Sequence, residues 1–276
     1  MTSPTRSRDR NRALAAETVD AVRTGGYDVG GRHVDIAAQV STAVAGTRLI
    51  LPDAPLPEAT TWSSPTTVEV TDESSLAAAR RLGPGTACLV FASARNPGGG
   101  FLNGAQAQEE AISRSSALYA TQTTAPEFYE HHRHDKSLLY SDRIIVSPDV
   151  PVFRDDDGAL LAEPYPVTFL TAAAPNRAAV ERNQPDDVRK VVPTLVRRAA
   201  RVLDVAAAHV SRRLVLGAWG CGVFGNDAAD VASAFAQALA GPPRFEQVTF
   251  AILDHRPGQP VLGAFERSLG KPTARA

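Results

Sequence analysis

The sequence predicts an α/β protein in which helices cover both faces of a largely parallel central sheet. From residue 66 onward, short strand-like runs alternate with segments whose apolar residues recur at helical spacing. Runs such as TACLVFASA at residues 86–94 are apolar almost throughout, which is typical of strands buried on both faces. Alternation of this kind favours a layered α/β sandwich over an all-helical or all-strand fold.

The N-terminal 65 residues are expected to form an extension. ALAAETVDAVRTG, which starts at Ala13, has helical spacing and stops at Gly25, and YDVGGRHVDI around Gly30 is typical of a short hairpin. AAQVSTAVAG predicts a second short helix, and a proline-rich stretch at 51–65 excludes regular structure through most of its length. We therefore predict an extension with a proline-rich connection at 1–65 and a main domain at 66–276. The arginines at positions 6, 8, 10 and 12 are interpreted as a solvated, frayed terminus rather than a nucleic-acid arm.

In the main domain the predicted elements follow in order. Strands are expected at 66–71, 86–94, 143–153, 166–174, 212–219 and 247–253, and helices at 73–83, 108–122, 186–211, 227–241 and 260–270. Pro193 lies near the first turn of the long helix, where proline is tolerated.

Composition excludes several classes of protein. The 276 residues are 43% hydrophobic, enough for a sizeable core, and 29 basic residues nearly balance 30 acidic ones. No global positive field therefore exists to capture a nucleic acid or an anionic membrane. Cys88 and Cys221 each lie beside an apolar run and are read as free thiols in a reducing cytoplasm. Without a long apolar run or an apolar leader, we expect a soluble cytoplasmic protein that does not contact membranes.

Two glycine-rich segments, Gly98–Gly104 and Gly217–Gly225, each follow a predicted core strand. Ligands of such sheets lie beyond the carboxyl ends of the strands, and glycine amides beside a helix start can cradle phosphate. Two segments in this position favour a phosphate-bearing ligand over glycines that merely turn the chain. GCGVFG at 220–225 also matches a dinucleotide fingerprint, with Asp254 as a ribose-binding acid. Too little chain follows Asp254 for a full dinucleotide domain, so a nicotinamide-dependent oxidoreductase is a distant alternative.

Two adjacent acids, Glu109 and Glu110, follow the first glycine segment. Neighbouring side chains diverge by about 100° on a helix, so the two carboxylates cannot flank one bond in the manner of a paired-carboxylate glycosidase. At most one of them is a proton donor. The simpler alternative is that both complement a helix N-terminus.

The segment GGGFLNGAQAQEE resembles the signature of the poly(ADP-ribose) glycohydrolases. Gly98, Gly99 and Gly100 are followed by seven residues and then by Gln108, Glu109 and Glu110, which is the family's spacing. GAWGCGVFGND at 217–227 is similar to the second ligand loop of the short microbial form. The resemblance covers most of residues 66–276, and it implies a three-layer α/β/α macrodomain with a mixed, largely parallel sheet and an N-terminal helical extension.

The resemblance also implies a function: hydrolysis of ribose–ribose bonds in poly(ADP-ribose), free or on ADP-ribosylated proteins, to release ADP-ribose without a metal or other cofactor, in the DNA damage response. Glu110 would be the general acid and then the base, Glu109 would hold ribose hydroxyls, and Gln108 would fix the acid loop. The implied ligand contacts are Asn96 at the ribose, the amides of Gly98, Gly99, Gly100 and of Gly220 to Gly222 at the diphosphate, Phe224 beside the ribose, Val223 lining the loop, and Asn226 as a weaker candidate.

Some signals and rivals stay open. HHRHD at 131–135 is interpreted as solvated surface rather than a metal site, and FRDDDGAL at 153–160 as a tight turn rather than half a calcium loop. Trp219 either touches ligand or packs in the core. The rival functions are a macrodomain that binds ADP-ribose without cleaving it and a hydrolase of single ADP-ribose groups on proteins.

Overall fold

A computed structural model describes residues 4–58, 62–209 and 212–270 of the chain. Its helices are α1 (Pro4–Thr24), α2 (Ala37–Gly46), α3 (Ser75–Leu82), α4 (Gln108–Ser115), α5 (Leu118–Gln122), α6 (Pro126–His134), α7 (Arg177–Asn183), α8 (Val191–Ala208), α9 (Ala228–Leu239) and α10 (Pro260–Leu269). Its strands are β1 (Gly26–Val29), β2 (Arg32–Asp35), β3 (Arg48–Ile50), β4 (Thr67–Thr71), β5 (Thr86–Phe91), β6 (Ile144–Arg154), β7 (Leu160–Ala172), β8 (Arg213–Leu216) and β9 (Gln247–Ala251). Short 3₁₀ turns occupy Phe101–Asn103 and Pro185–Lys190. Within these ranges no helix has the length and apolarity needed to cross a bilayer.

The central sheet has seven strands in the order β3-β6-β7-β5-β8-β9-β4. From β7 to β4 neighbouring strands run parallel, whereas β6 is antiparallel to both β3 and β7. The prediction of a mixed, largely parallel sheet is confirmed.

Both faces of this sheet are buried, as the apolar strands require. On β5, Leu89 packs into the core shared with α8, α9 and α10, and the next residue, Val90, packs into the opposite core with α3 and α4. Successive side chains of a strand point to opposite faces, so a strand between two helical layers must be apolar at every position. The three-layer arrangement follows.

The N-terminal region contains the predicted helix, hairpin and second short helix. The edge strand β3 also lies in it and pairs with β6 of the central sheet, a pairing that the sequence did not indicate. The described residues of the proline-rich stretch at 51–65 form no helix or strand, as predicted. The boundary at residue 65 stays a prediction.

Two local expectations are wrong. The predicted helix at 108–122 is broken into α4 and α5 at Ser116, whose Oγ accepts from Leu118 N and donates to Ile112 O, and which forms an isolated bridge with Val152 of β6. The arginines at 8, 10 and 12 lie on helix α1 rather than on a frayed terminus, and Arg12 Nε donates to Asn103 O.

Candidate active site

The two glycine segments meet at one edge of the sheet because they follow neighbouring parallel strands. β5 ends at Phe91 and β8 at Leu216, and the two strands are hydrogen-bonded to each other. The first loop (residues 92–107) and the second loop (residues 217–227) therefore open on the same side. Together they line a cavity of about 920 Å³, which both Glu109 and Glu110 also reach.

Glu110 lies at this cavity, fixed by the backbone of the first loop. It is in the first turn of α4, and its Oε1 accepts a 2.9 Å hydrogen bond from Gly100 N. Gly99 has φ +57°, and a Cβ at that position would overlap Glu110 Oε1. A glycine is therefore required for the carboxylate to lie against the loop.

Glu109 diverges from Glu110 as expected of consecutive helical residues, and it is only 2% exposed. Its Oε2 accepts from Ser93 N at 2.7 Å, and its Oε1 accepts from Gln122 Nε2 at 2.9 Å. Burial raises the pKa of Glu109 to about 8, the two donors partly offset that rise, and the nearby charge of Glu110 adds to it. The raised pKa favours the protonated, neutral form of the buried acid, which lessens its repulsion with the neighbouring carboxyl group.

Gln108 fastens the start of α4 to the sheet. Its Oε1 accepts from Phe91 N at 2.9 Å, while its Nε2 donates to Leu89 O at 2.8 Å and to Ser75 Oγ at 3.1 Å. These bonds anchor the residue directly before the two acids at the carboxyl end of β5. Such bonds are what Gln108 needs if it is to fix the segment that carries the two acids, the role expected of it.

The amides of the first loop are already committed inside the protein. Gly98 N donates to Gln122 Oε1 at 2.8 Å, Gly99 N to Asn96 O at 3.0 Å, and Gly100 N to Glu110. The expectation that Gly98, Gly99 and Gly100 offer their amides to a diphosphate stays a prediction, and it would require these internal bonds to be exchanged. Of the three amides, that of Gly100 holds Glu110 directly.

The second loop leaves some of its amides open, while others, such as that of Cys221, donate within the loop. The backbone N–H groups of Gly220, Gly222, Val223 and Phe224 donate to no residue within the described ranges. The start of α9 is not part of this cradle, because Asp227 caps it by accepting from Ala229 N and Asp230 N. The open amides of the second loop, rather than a helix N-terminus, are the donors available to an anion.

Other predicted contacts divide into two groups. Asn96, Val223 and Phe224 line the cavity, and Val223 is 87% exposed at its rim. Asn226 does not line it: its side chain is buried, with Nδ2 donating to Pro175 O at 2.9 Å, so it braces the second loop instead. Trp219 packs in the core, where it is 1% exposed and its Nε1 donates to Ala172 O, and it also lines the cavity.

Several residues of the site had no signal in the sequence. Tyr119, Leu102 and Gln106 line the large cavity, and Gln122 bridges Gly98 to Glu109 from the distant helix α5. A second cavity of about 680 Å³ adjoins the first and shares Phe91, Gln106, Ala107, Gln108, Ala218 and Gly222 with it. The two cavities therefore adjoin and form one groove with two compartments.

The remaining motifs lie elsewhere. The 153–160 segment is the predicted turn, between β6 and β7, with Asp155 Oδ1 accepting from Ala159 N at 2.8 Å. HHRHD ends helix α6; His134 is exposed there as expected, but His132 is buried, which is a correction. Among the described residues no three His, Cys, Asp or Glu side chains are grouped to hold a metal ion. Asp254 accepts from Val261 N and Arg256 Nε and so supports the loop before α10.

Comparison with known proteins agrees with this geometry. Residues 15–155 match the family model described as the microbial-type PARG catalytic domain. The crystal structure of poly(ADP-ribose) glycohydrolase from Thermomonospora curvata is 50% identical with a TM-score of 0.89, over 95% of this chain and 100% of that one. Its complex with the inhibitor ADP-HPD is 50% identical with a TM-score of 0.85, over 94% and 99% of the two chains.

The poly(ADP-ribose) glycohydrolase of Deinococcus radiodurans in complex with ADP-ribose is 46% identical with a TM-score of 0.78, over 88% of this chain and 98% of that one. No curated protein sequence matches significantly. The family match covers half of the chain, and the structural matches extend over nearly all of it. The chain therefore belongs to the microbial-type poly(ADP-ribose) glycohydrolase family, which has a macrodomain-like fold.

Proposed function

We propose that this protein hydrolyses the ribose–ribose O-glycosidic bonds of poly(ADP-ribose) and releases ADP-ribose, with Glu110 as general acid and then general base. The observation that carries the proposal is the position of Glu110: its carboxylate is held by Gly100 N at the wall of a cavity whose opposite wall offers free backbone amides. The acid and the open amides therefore line the same cavity.

The negative charge of the diphosphate determines how the ligand lies in the groove. Its diphosphate lies on the open amides of Gly220, Gly222, Val223 and Phe224, which donate to no residue among those described. Its adenosine occupies the adjoining cavity of about 680 Å³. Its distal ribose then lies in the larger cavity between Phe224 and the acids, with Asn96 at its edge.

The reaction needs one proton donor. Protonated Glu110 gives its proton to the leaving ribose oxygen as the C1–O bond breaks, and the diphosphate stabilises the positive charge that develops at C1. The Glu110 carboxylate then takes a proton from a water that attacks C1, so the enzyme returns to its starting state. Glu109, at the same cavity, orients ribose hydroxyls and keeps Ser93 and Gln122 in place.

The decisive experiment compares Glu110→Gln with Glu127→Gln, a matched change at an exposed glutamate of α6. Glu110→Gln removes the proton donor and should abolish chain shortening, while its affinity for ADP-ribose stays within about tenfold, or about 1.4 kcal/mol. Glu127→Gln should match the wild type in both assays. Retained hydrolysis in Glu110→Gln would overturn the catalytic assignment.

Two rival functions are separated by the same reagents. A binding module would bind ADP-ribose without shortening polymer in the wild-type protein, and the held carboxylate of Glu110 argues against it. A hydrolase of single ADP-ribose groups would release ADP-ribose from a mono-modified protein as readily as from polymer.

A cytoplasmic location and a role in the DNA damage response also belong to the proposal. The two free thiols, Cys88 and Cys221, support the location.

A further inference from the structure

Helix α1 forms a wall beside the first loop. Asn11 Nδ2 donates to Gln106 Oε1 at 3.0 Å and to Gly104 O at 3.3 Å. Gly104 has φ +75°, and a Cβ there would overlap the carbonyl oxygen of Arg8 and come within 3.1 Å of Arg12 Cγ. Glycine at this position thus allows the helix to lie directly on the loop.

A short chain of contacts joins the acid to this helix. Glu110 Oε1 accepts from Gly100 N, Gly100 O accepts from Asn103 N at 3.0 Å, and Asn103 O accepts from Arg12 Nε at 3.3 Å. Asn103 and its neighbour Leu102 line the large cavity and are exposed at its rim. Arg12, and Arg8 one turn before it on α1, therefore lie just outside the rim of the large cavity, on the side where Glu110 lies.

Arg8 and Arg12 are one helical turn apart, and the Cγ atoms of both approach Gly104, so they share a face of α1. Arg8 is exposed and forms no ion pair with a residue of the described ranges. The Arg12 side chain is 52% exposed, and its one ion-pair partner among those residues is Asp9, at 3.2 Å. Arg10 lies apart from them, since it donates to Asp157 O. The Arg8–Arg12 face thus presents positive charge to solvent beside the cavity.

Resting on the proposed function, we propose that Arg8 and Arg12 form a subsite for the diphosphate of the leaving polymer unit. Glu110 protonates the leaving oxygen, so the leaving unit must extend from the Glu110 side of the cavity. That unit carries its own diphosphate, whose negative charges meet the two guanidinium groups across the rim. Arginine forks match phosphate geometry.

The test measures kcat/KM on two substrates: poly(ADP-ribose), and an aryl glycoside of ADP-ribose whose leaving group has no phosphate. Arg8→Glu should lower kcat/KM for polymer by about threefold to tenfold, as expected for reversal of an exposed charge. The aryl glycoside rate and ADP-ribose affinity should not change. Arg12→Gln, which retains a donor for Asn103, should act in the same direction. The loss should shrink at high salt.

Arg23→Glu is the matched control, because it reverses an exposed charge at the other end of the same helix. If Arg8→Glu and Arg12→Gln behave like Arg23→Glu on polymer, the subsite is refuted. It is equally refuted if both substrates slow together, since that would mean distortion of the rim. If the wild-type protein cleaves neither substrate, the proposed function fails instead.

Discussion

Replacement of Gly99 by alanine should separate the stability of this site from its chemistry. The new Cβ would overlap Glu110 Oε1 and lie 3.1 Å from Glu109 Oε2. Since Oε1 is the end of a flexible side chain, the overlap is relieved when the Glu110 carboxylate moves by about 1 Å. That movement costs little folding free energy, but it removes the Glu110 carboxylate from its hydrogen bond with Gly100 N.

The two costs differ in size. Alanine at φ +57° costs about 1–2 kcal/mol of folding free energy, because left-handed backbone is unfavourable for a residue with a Cβ. Misplacement of a catalytic group by about 1 Å costs about 100-fold in kcat. Gly99→Ala should therefore unfold slightly earlier in urea and hydrolyse polymer about 100-fold more slowly.

Gly30→Ala is the matched control. Gly30 has the same φ, +57°, but a Cβ there would meet nothing within 4 Å, and it lies in the turn between β1 and β2 and does not line the cavity. It should lose similar stability with unchanged kcat. A Gly99→Ala enzyme whose kcat stays within about threefold of wild type would refute the argument that this loop positions the acid.

Three further outcomes are expected. ADP-ribose affinity should fall as pH rises through about 8, because Glu109 loses its proton above that pKa and then adds negative charge beside an anionic ligand. Calorimetric titration of the protein with ADP-ribose measures this change. A constant Kd between about pH 6.5 and about pH 9.5 would contradict it. Gln122→Leu leaves Gly98 N and Glu109 Oε1 unpaired and should cost about 2–4 kcal/mol in urea unfolding. Asp142→Ala leaves the fully buried Arg198 guanidinium without its 2.8 Å ion pair and should lower the free energy of unfolding by about 3–5 kcal/mol. A loss below about 1 kcal/mol would show that the ion pair contributes little to stability.

Much of the fold could be predicted because its strands carry a strong local signal. A strand such as β5, which is apolar at successive positions, fits only a sheet that is covered on both faces. That expectation also predicted that the loops after the carboxyl ends of such strands would form the ligand site. The break between α4 and α5 had no such signal. It depends on the pairing of Ser116 with Val152 of β6, a contact between residues far apart in sequence.

The glycines and acids of the candidate site were predictable, but other lining residues such as Tyr119, and the assignment of the hydrogen bonds, were not. The glycines and acids form a contiguous pattern, so their convergence follows from the order of strands. Which amides are free does not follow, since Gly98 N is occupied by Gln122, which lies on another helix. Nor could the buried environment of Glu109 be deduced from its position beside Glu110.

The two glycine-rich loops look alike in sequence yet have opposite electrostatic roles. The amide of Gly100 donates to the Glu110 carboxyl group, and the amide of Gly98 donates to the neutral side chain of Gln122, which in turn donates to Glu109. The amides at Gly222 and Phe224 stay open within the described part of the chain and are available to the negative charge of a ligand. Because each anion has its own donors, a diphosphate can bind close to Glu110 without competing for the bonds that hold it. A loop that shared its amides between the two would release the acid whenever the ligand bound.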